Sequence, residues 1–416
     1  MLVVVDEAAP VDLEHTVQSV RAPRATPWAA RGPSASLEHM TNPFLGRDDQ
    51  AIDVSDTPRG ELEVVHTFTD GPMPTGVSVS HTGRIFVNFP KWGDEVPATV
   101  VELVDGAVKP YPSAEANQAK SKADPDAFVS VQSIVIDPAD RLWVLDTGSP
   151  LFEETQRGGP KLVCIDLTTD EITQTILFEP DVALPTTYLN DVRFDLRQGE
   201  AGFAYITDSS DQGPNGIIVV DLASGAAWRR LHDHPTTKAL PPGEMVPVAE
   251  GRVFAERSAG EAPQPVKMGA DGIAISHDGE RLWYCPLISR RWYSVDTAAL
   301  RDRALSDEDV AATVVDHGDK GGGADGLESD DQGRLYATNW EHNAVLRRLP
   351  DGEMQTLVHD ERLLWPDTMS VARDGHLYVT ANQLHRQAKY QDGQDLRVYP
   401  YHLFRFAIDA GPVLLR

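Results

Sequence analysis

Asp271, Asp325 and Asp367 occupy one position in a repeated pattern, and carboxylates repeated in that way invite a chemical reading. Gly269-Ala270-Asp271-Gly272-Ile273 leads through Asp278-Gly279 to Leu282-Trp283-Tyr284. Gly323-Ala324-Asp325-Gly326-Leu327 leads through Gln332-Gly333 to Leu335-Tyr336, and Pro366-Asp367-Thr368-Met369 leads through Asp374-Gly375 to Leu377-Tyr378. Aligning the upstream relatives on their first apolar residue extends the column to Asn190, Gln132 and Thr75. If the chain gathers these six polar residues, three carboxylates would face one another, which is unfavourable unless a cation or a shared proton lies among them. Oxygen ligands of this kind suit a hard cation such as calcium. Secluded acids with raised pKa values suit proton transfer. A third account treats each Asp-Gly or Pro-Asp as a turn former capping local N–H groups. That account is the simpler one for a single aspartate, whereas six polar residues in register favour a site.

A second polar series ends the strand that follows each column residue: Asn88, Asp146, Asp208, Asn339 and Asn382. Two strands return the chain to the face it left, so these residues belong on the same side, either widening a pocket or capping turns. His317, His342 and His385 are expected in loops on that face, each a candidate general base. His232 and His234 have the look of a metal pair but lack a third ligand nearby and read as surface. Trp92, Trp340 and Trp365 are candidates to stack on a ring. No Gly-x-Ser-x-Gly elbow or Cys-x-x-Cys pair appears, and Gly321-Gly322-Gly323 precedes a strand rather than a phosphate-binding helix.

What positions such residues is a repeat. Six copies occur, each a strand, a tight polar turn and a second strand, with inner pairs also at Pro74–Val77 with Ile85–Val87, Val131–Ile134 with Leu142–Val144, and Leu189–Val192 with Phe203–Ile206. A lone hairpin buries too little to offset its ordering entropy, so the copies must pack on one another. Outer pairs follow, for example Leu162–Asp166 with Ile172–Phe178, and Trp292–Asp296 with Thr313–Asp316. The expectation is an all-β fold: a six-bladed β-propeller of four-stranded antiparallel blades. Residues 62–68 should supply the strand missing from the last blade, so that no edge stays open. Residues 59–416 then form one domain, preceded by an irregular or wrapping extension, 1–58. Long loops at 90–98, 146–160, 208–215, 232–267 and 382–400 are candidates for binding or lid roles.

The 416 residues carry 37 basic and 64 acidic side chains, a formal charge of −27. That balance argues against nucleic acid or an anionic membrane as partner and leaves a small molecule as the expected one. No apolar run approaches the ~20 residues needed to span a bilayer, so a soluble protein is expected. The start, Met1-Leu2-Val3-Val4-Val5-Asp6, lacks a positive n-region. A cytoplasmic location follows if that start is intact, and secretion if the chain is processed. Cys164 and Cys285 sit in strand-like runs and read as buried free thiols. Oligomeric state is left open.

Several long motifs resemble the major royal jelly and yellow proteins. They are Pro74-Thr75-Gly76-Val77 with Gly83-Arg84-Ile85-Phe86-Val87-Asn88-Phe89-Pro90-Lys91-Trp92, Phe128-Val129-Ser130-Val131-Gln132 with Arg141-Leu142-Trp143-Val144-Leu145-Asp146-Thr147-Gly148, Asn190-Asp191-Val192, Tyr205-Ile206-Thr207-Asp208, Trp365-Pro366-Asp367 and Asn382-Gln383-Leu384-His385. The resemblance runs from about 62 to 407 and implies a six-bladed propeller with a ligand pocket at one end of its channel. Family activities include dopachrome conversion, an aminochrome tautomerisation, and binding of biogenic amines, while other members are structural or nutritional. A more distant resemblance is to calcium-dependent lactonases of the gluconolactonase and regucalcin group, whose metal ligands occupy the column. There Asn190 and Asp271 match, but Thr75 stands where that group has a glutamate, and Gln132 replaces a shorter amide or acid.

The leading expectation is an isomerase acting on a small cyclic, amine-bearing or quinonoid metabolite. Asp271, Asp325, Asp367 and His385 would be its catalytic candidates, and Thr75, Gln132, Asn190, Trp92, Asn339, Trp340, Trp365 and Asn382 would bind the ligand. No cofactor is required. The alternatives are a lactone hydrolase holding calcium or another divalent cation through Asn190 and Asp271, and a non-catalytic binder of small amines.

Overall fold

The computed structural model describes residues 58–416. Apart from Pro58, the expected extension 1–58 lies outside the described residues. Six four-stranded antiparallel sheets form the blades of a β-propeller. Blades 1 to 3 run in chain order over residues 76–110, 131–177 and 189–230, and blades 4 and 5 over 270–319 and 327–359. In blade 6, Pro366–Val371 is innermost, His376–Ala381 and Tyr401–Ala407 follow, and Glu63–Phe68 is the outer strand, pairing with Tyr401–Ala407.

Three of the inner hairpins share one fastening. Asp137 in the first turn of blade 2 accepts from Ala139 N at 2.8 Å, Arg141 N at 3.1 Å and Trp143 Nε1 at 2.8 Å. Asp330 does the same in blade 5 for Gln332 N, Arg334 N and the Tyr336 hydroxyl, and Asp374 accepts from the Tyr378 hydroxyl in blade 6. One aspartate thus closes the turn and satisfies the polar head of the aromatic residue that the second strand buries. In blade 2 that second strand is dry: Leu142, Trp143, Val144 and Leu145 are 0% exposed.

Innermost strands neighbour one another around the ring, and hydroxyls stitch them together. Thr207 of blade 3 donates to Asp271 O of blade 4 at 2.7 Å, and Thr380 of blade 6 donates to Thr75 O of blade 1 at 2.5 Å. Asn88 of blade 1 donates to Val131 O and Gln132 O of blade 2.

Two features differ from the sequence reading. Between the third and fourth strands of blade 4 lie two short helices, Thr297–Arg301 and Asp307–Ala311, capped by the Asp296 and Ser306 side chains. The fourth strand is therefore Val315–Asp319, so His317 lies in an outer strand rather than a mouth loop, stacked on Trp283 at 4.0 Å. The connection 231–269 also has structure of its own: Val248–Ala249 pairs with Arg252–Val253, and Ala255–Glu256 with Gln264–Pro265.

Candidate functional site

Backbone geometry explains why the column converges. Gln132, Asn190, Asp271 and Asp367 all sit at irregularities in the inner-strand ladder, where pairing shifts between Val131 and Ser133, Leu189 and Val192, Ala270 and Ile273, and Pro366 and Met369. A bulge re-aims one side chain without ending the strand. Glycines after the acids are spacers rather than turn residues. A Cβ on Gly272 would lie 2.4 Å from Asp325 O, and one on Gly326 would lie 2.3 Å from Asp367 O. Only glycine lets adjacent blades approach that closely.

On the side of blades 4 to 6 the three acids meet. The Asp325 carboxyl hydrogen-bonds to those of both Asp271 and Asp367. Burial, then the charge of Asp325, pushes Asp271 and Asp367 well above the usual carboxylate range. Burial raises Asp325 too, against the opposing pull of Trp365 Nε1, which donates to its Oδ2 at 2.7 Å. Carboxyls in contact cannot all ionise, so this trio shares protons. Amides orient its flanks: Asn190 Nδ2 donates to Asp271 Oδ1 at 2.8 Å, and Asn382 Nδ2 to Asp367 Oδ2 at 2.5 Å.

Across the mouth, the neutral column residues are tied into a different network. Gln132 Oε1 accepts from the Tyr188 hydroxyl at 3.0 Å, and that hydroxyl accepts from Trp92 Nε1 at 2.6 Å. Phe152 stacks on Tyr188 at 4.4 Å and on Trp92 at 5.5 Å. Burial, reinforced by the charges of Asp271, Asp367 and Asp146, raises the Tyr188 phenol well above its ordinary value, so it stays neutral. Sequence reasoning missed Tyr188. Its only signal was an aromatic residue two places ahead of Asn190. Thr75 is fully buried, and its hydroxyl accepts from Asn88 Nδ2 at 3.1 Å.

The other candidates scatter. Asn339 bonds Gly321 O rather than the acids. His385 pairs through Nε2 with Glu250 at 2.6 Å and stacks on Trp365 at 5.7 Å. Trp340 and Trp365 stack on each other at 4.6 Å, 13° from parallel. Trp365 also adopts φ 58°, a left-handed conformation unusual for a bulky residue and the kind of strain held at functional sites. Asp146 receives Val129 N, Ser130 N, Gly148 N and the Lys161 ammonium, while Asp208 receives Tyr188 N, Ser210 N and Arg229. Those two therefore cap and clamp. His232 accepts from Arg229, and His234 caps Thr236.

Below the mouth, Arg193 pairs with Asp191 at 2.9 Å and Glu328 at 3.5 Å, a buried ionic group that the sequence reading also passed over. Both cysteines are buried and free. Among the described residues, no set of three or more His, Cys, Asp and Glu side chains is arranged to hold a metal ion. Acids bonded to one another, with the Asn190 amide nitrogen turned to Asp271, present few free oxygens to a cation. The column does not fit a calcium cage. Among the described residues, no helix is long and apolar enough to cross a membrane.

Comparison with known proteins agrees with this architecture. The sequence model of the family described as Major royal jelly protein matches residues 129–401. Dopaminechrome tautomerase of Drosophila melanogaster is 26% identical over 202 residues, covering 46% of this chain and 40% of that protein. Protein yellow of Drosophila erecta is 28% identical over 248 residues, covering 56% and 43%. The matched region thus spans about two-fifths of the length of these curated relatives. A solved structure provisionally described as a gluconolactonase superposes with a TM-score of 0.51 at 12% identity, covering 86% of this chain and 99% of that one, a likeness of fold alone.

Proposed function

The chain belongs to the major royal jelly protein family, and from that premise we propose that it is a tautomerase of small cyclic, amine-bearing quinonoid compounds, of the aminochrome kind. One observation supports the reading: Asp325 in hydrogen-bonding contact with both Asp271 and Asp367, the three held partly protonated by burial. Similarity to a dopaminechrome tautomerase supplies the substrate class.

Tautomerisation of an aminochrome to the dihydroxyindole breaks two C–H bonds of the reduced ring and forms two O–H bonds, one at each quinone oxygen, in successive proton shifts while the electron pairs move through the ring. No oxidant, reductant or cofactor enters the balance. Such a step needs a base and an acid a few ångströms apart, and a proton-sharing carboxyl trio offers both. Asp271, oriented by Asn190, and Asp367, oriented by Asn382, serve as the flanking carboxyls, with Asp325 passing the proton between them. The charge that remains on the trio favours the cationic ring nitrogen. The neutral Tyr188 hydroxyl lies opposite as a hydrogen-bonding group. His385, already engaged by Glu250, takes no part.

The test is a turnover assay with dopaminechrome, followed by absorbance, with and without a chelator. Conversion to the dihydroxyindole, equal in both conditions, is the expected result. Activity lost on chelation, or amine binding without any conversion, would overturn the reading.

A further inference from the structure

Directly beside the acid trio is a box of aromatic side chains that a residue of the chain itself fills. Phe254, from the connection 231–269, packs against Trp365 at 4.7 Å, Tyr390 at 4.5 Å and Trp340 at 5.7 Å. Trp365 is the residue whose indole N–H holds Asp325, and His385 stacks on its ring. Among the polar atoms of this box, Trp340 Nε1 has no hydrogen-bond partner, the Tyr390 hydroxyl meets only the neighbouring Lys389 ammonium, and His385 Nδ1 has none. Their side chains are 1%, 2% and 3% exposed. Buried polar groups are nearly always satisfied, and two orphans on one cluster point to a partner with its own polar atoms.

Phe254 also has somewhere to go. On its other side lies an apolar cavity of about 240 Å³ lined by Leu240, Met245, Val253, Val266 and Ile288 as well as Phe254. Polar ties hold the connection over the mouth. Glu250 pairs with His385 and Arg386, and Arg252 with Asp392. The Arg252–Asp392 pair is exposed, and a pair of that kind is weak and easily exchanged for water, whereas His385 and Arg386 hold Glu250 well below the usual carboxylate range and make the tie that retraction must break.

We propose that the Trp340–Trp365–Tyr390 box is a subsite for a planar aromatic or quinonoid ring bearing oxygen substituents, and that Phe254 is its built-in plug, retracting into the apolar cavity when ligand enters. A ring in the box would lie against Trp365 on the flank of Asp325, with the orphan Trp340 N–H free to bond one of its oxygens and the Tyr390 hydroxyl beside it. The nature of this ligand rests on the tautomerase reading; the plug does not.

Calorimetric titration with catechol, an oxygen-bearing ring that this chemistry does not consume, tests the subsite apart from catalysis. A subsite that is open only part of the time binds more weakly by that fraction, so Phe254→Ala should bind catechol about tenfold tighter than the native protein. Phe254→Leu should give a smaller gain and guards against misfolding in the alanine variant. Adding Tyr390→Phe or Trp340→Phe to Phe254→Ala should remove most of the gain. Equal tightening for saturated cis-cyclohexanediol would mean only a hole, and unchanged catechol affinity in both Phe254 variants would mean no plug; either result overturns the proposal. Catechol results as expected alongside absent aminochrome turnover would keep the subsite and discard the catalytic reading.

Discussion

The two halves of the channel mouth are built by the same strands and do opposite things. Blades 1 to 3 present Thr75, Gln132 and Asn190, whose polar atoms are engaged by Asn88, Tyr188 and Asp271. Blades 4 to 6 present Asp271, Asp325 and Asp367, which bond chiefly to one another and hold protons. A shared strand layout therefore yields a neutral wall of fixed hydrogen bonds and a wall of carboxyls in contact. What separates them is the number of carboxyls in contact. One acid among amides could ionise, whereas three together cannot.

The harshest test of that contrast is Asp325→Asn. Its carboxamide still offers Trp365 an acceptor but cannot relay a proton, so dopaminechrome turnover should fall by about 10²–10⁴-fold with little change in melting temperature. A variant that keeps near-native kcat would break the distinction between the walls.

Stability against pH is the next measure. The folded-state pKa values of Asp271 and Asp367 lie above the unfolded value of 3.8. Protons held in the fold are released by the unfolded chain above about pH 4, so the associated stability is present at low pH and lost as pH rises through the folded-state pKa values. Asp271→Asn, which has no proton to lose, should gain on the native protein in melting temperature as pH rises above about 4, by roughly 2–4 °C per kcal/mol released. A pH-independent difference would mean that the acid wall is already ionised.

Gln132→Glu makes the neutral wall acidic while leaving the Tyr188 hydroxyl an acceptor. With a fourth carboxyl facing the trio, added calcium should raise the melting temperature of the variant but not of the native protein, by about 1.4 kcal/mol at ten times Kd. Calcium stabilising the native protein equally would show that the acidic wall already takes a cation. Smallest is Tyr188→Phe, which strands Trp92 Nε1 and should cost about 1–3 kcal/mol in urea unfolding. Turnover should fall only a few-fold, and a loss as large as that of Asp325→Asn would make the neutral wall catalytic.

Much of this was legible in the residues. The repeat of strand, polar turn and aromatic strand required several units to share a core, and Asp137, Asp330 and Asp374 fasten those units within a few residues of chain. The acid column was legible because Asp271, Asp325 and Asp367 keep a fixed offset from their strands. The role of its partners was not. Asn88 and Asp208 looked like an outer ring of the pocket, yet Asn88 ties Thr75 to the backbone of blade 2, Asp208 holds Tyr188 N and Arg229, and Asn339 turns to Gly321. Tyr188, Arg193 and Phe254 carried no periodic signal, since each acts on residues tens to more than a hundred positions away.

Sequence alone therefore determined the repeat, the blade as its unit and the polar character of the ring of strand starts, because strand alternation, turns and burial are decided within one hairpin. The tertiary structure alone decided which of those polar groups touch, and hence that three acids share protons while an amide wall faces them. Contact between blades depends on bulges and on the close approach at Gly272 and Gly326, and proton sharing begins only at hydrogen-bonding distance.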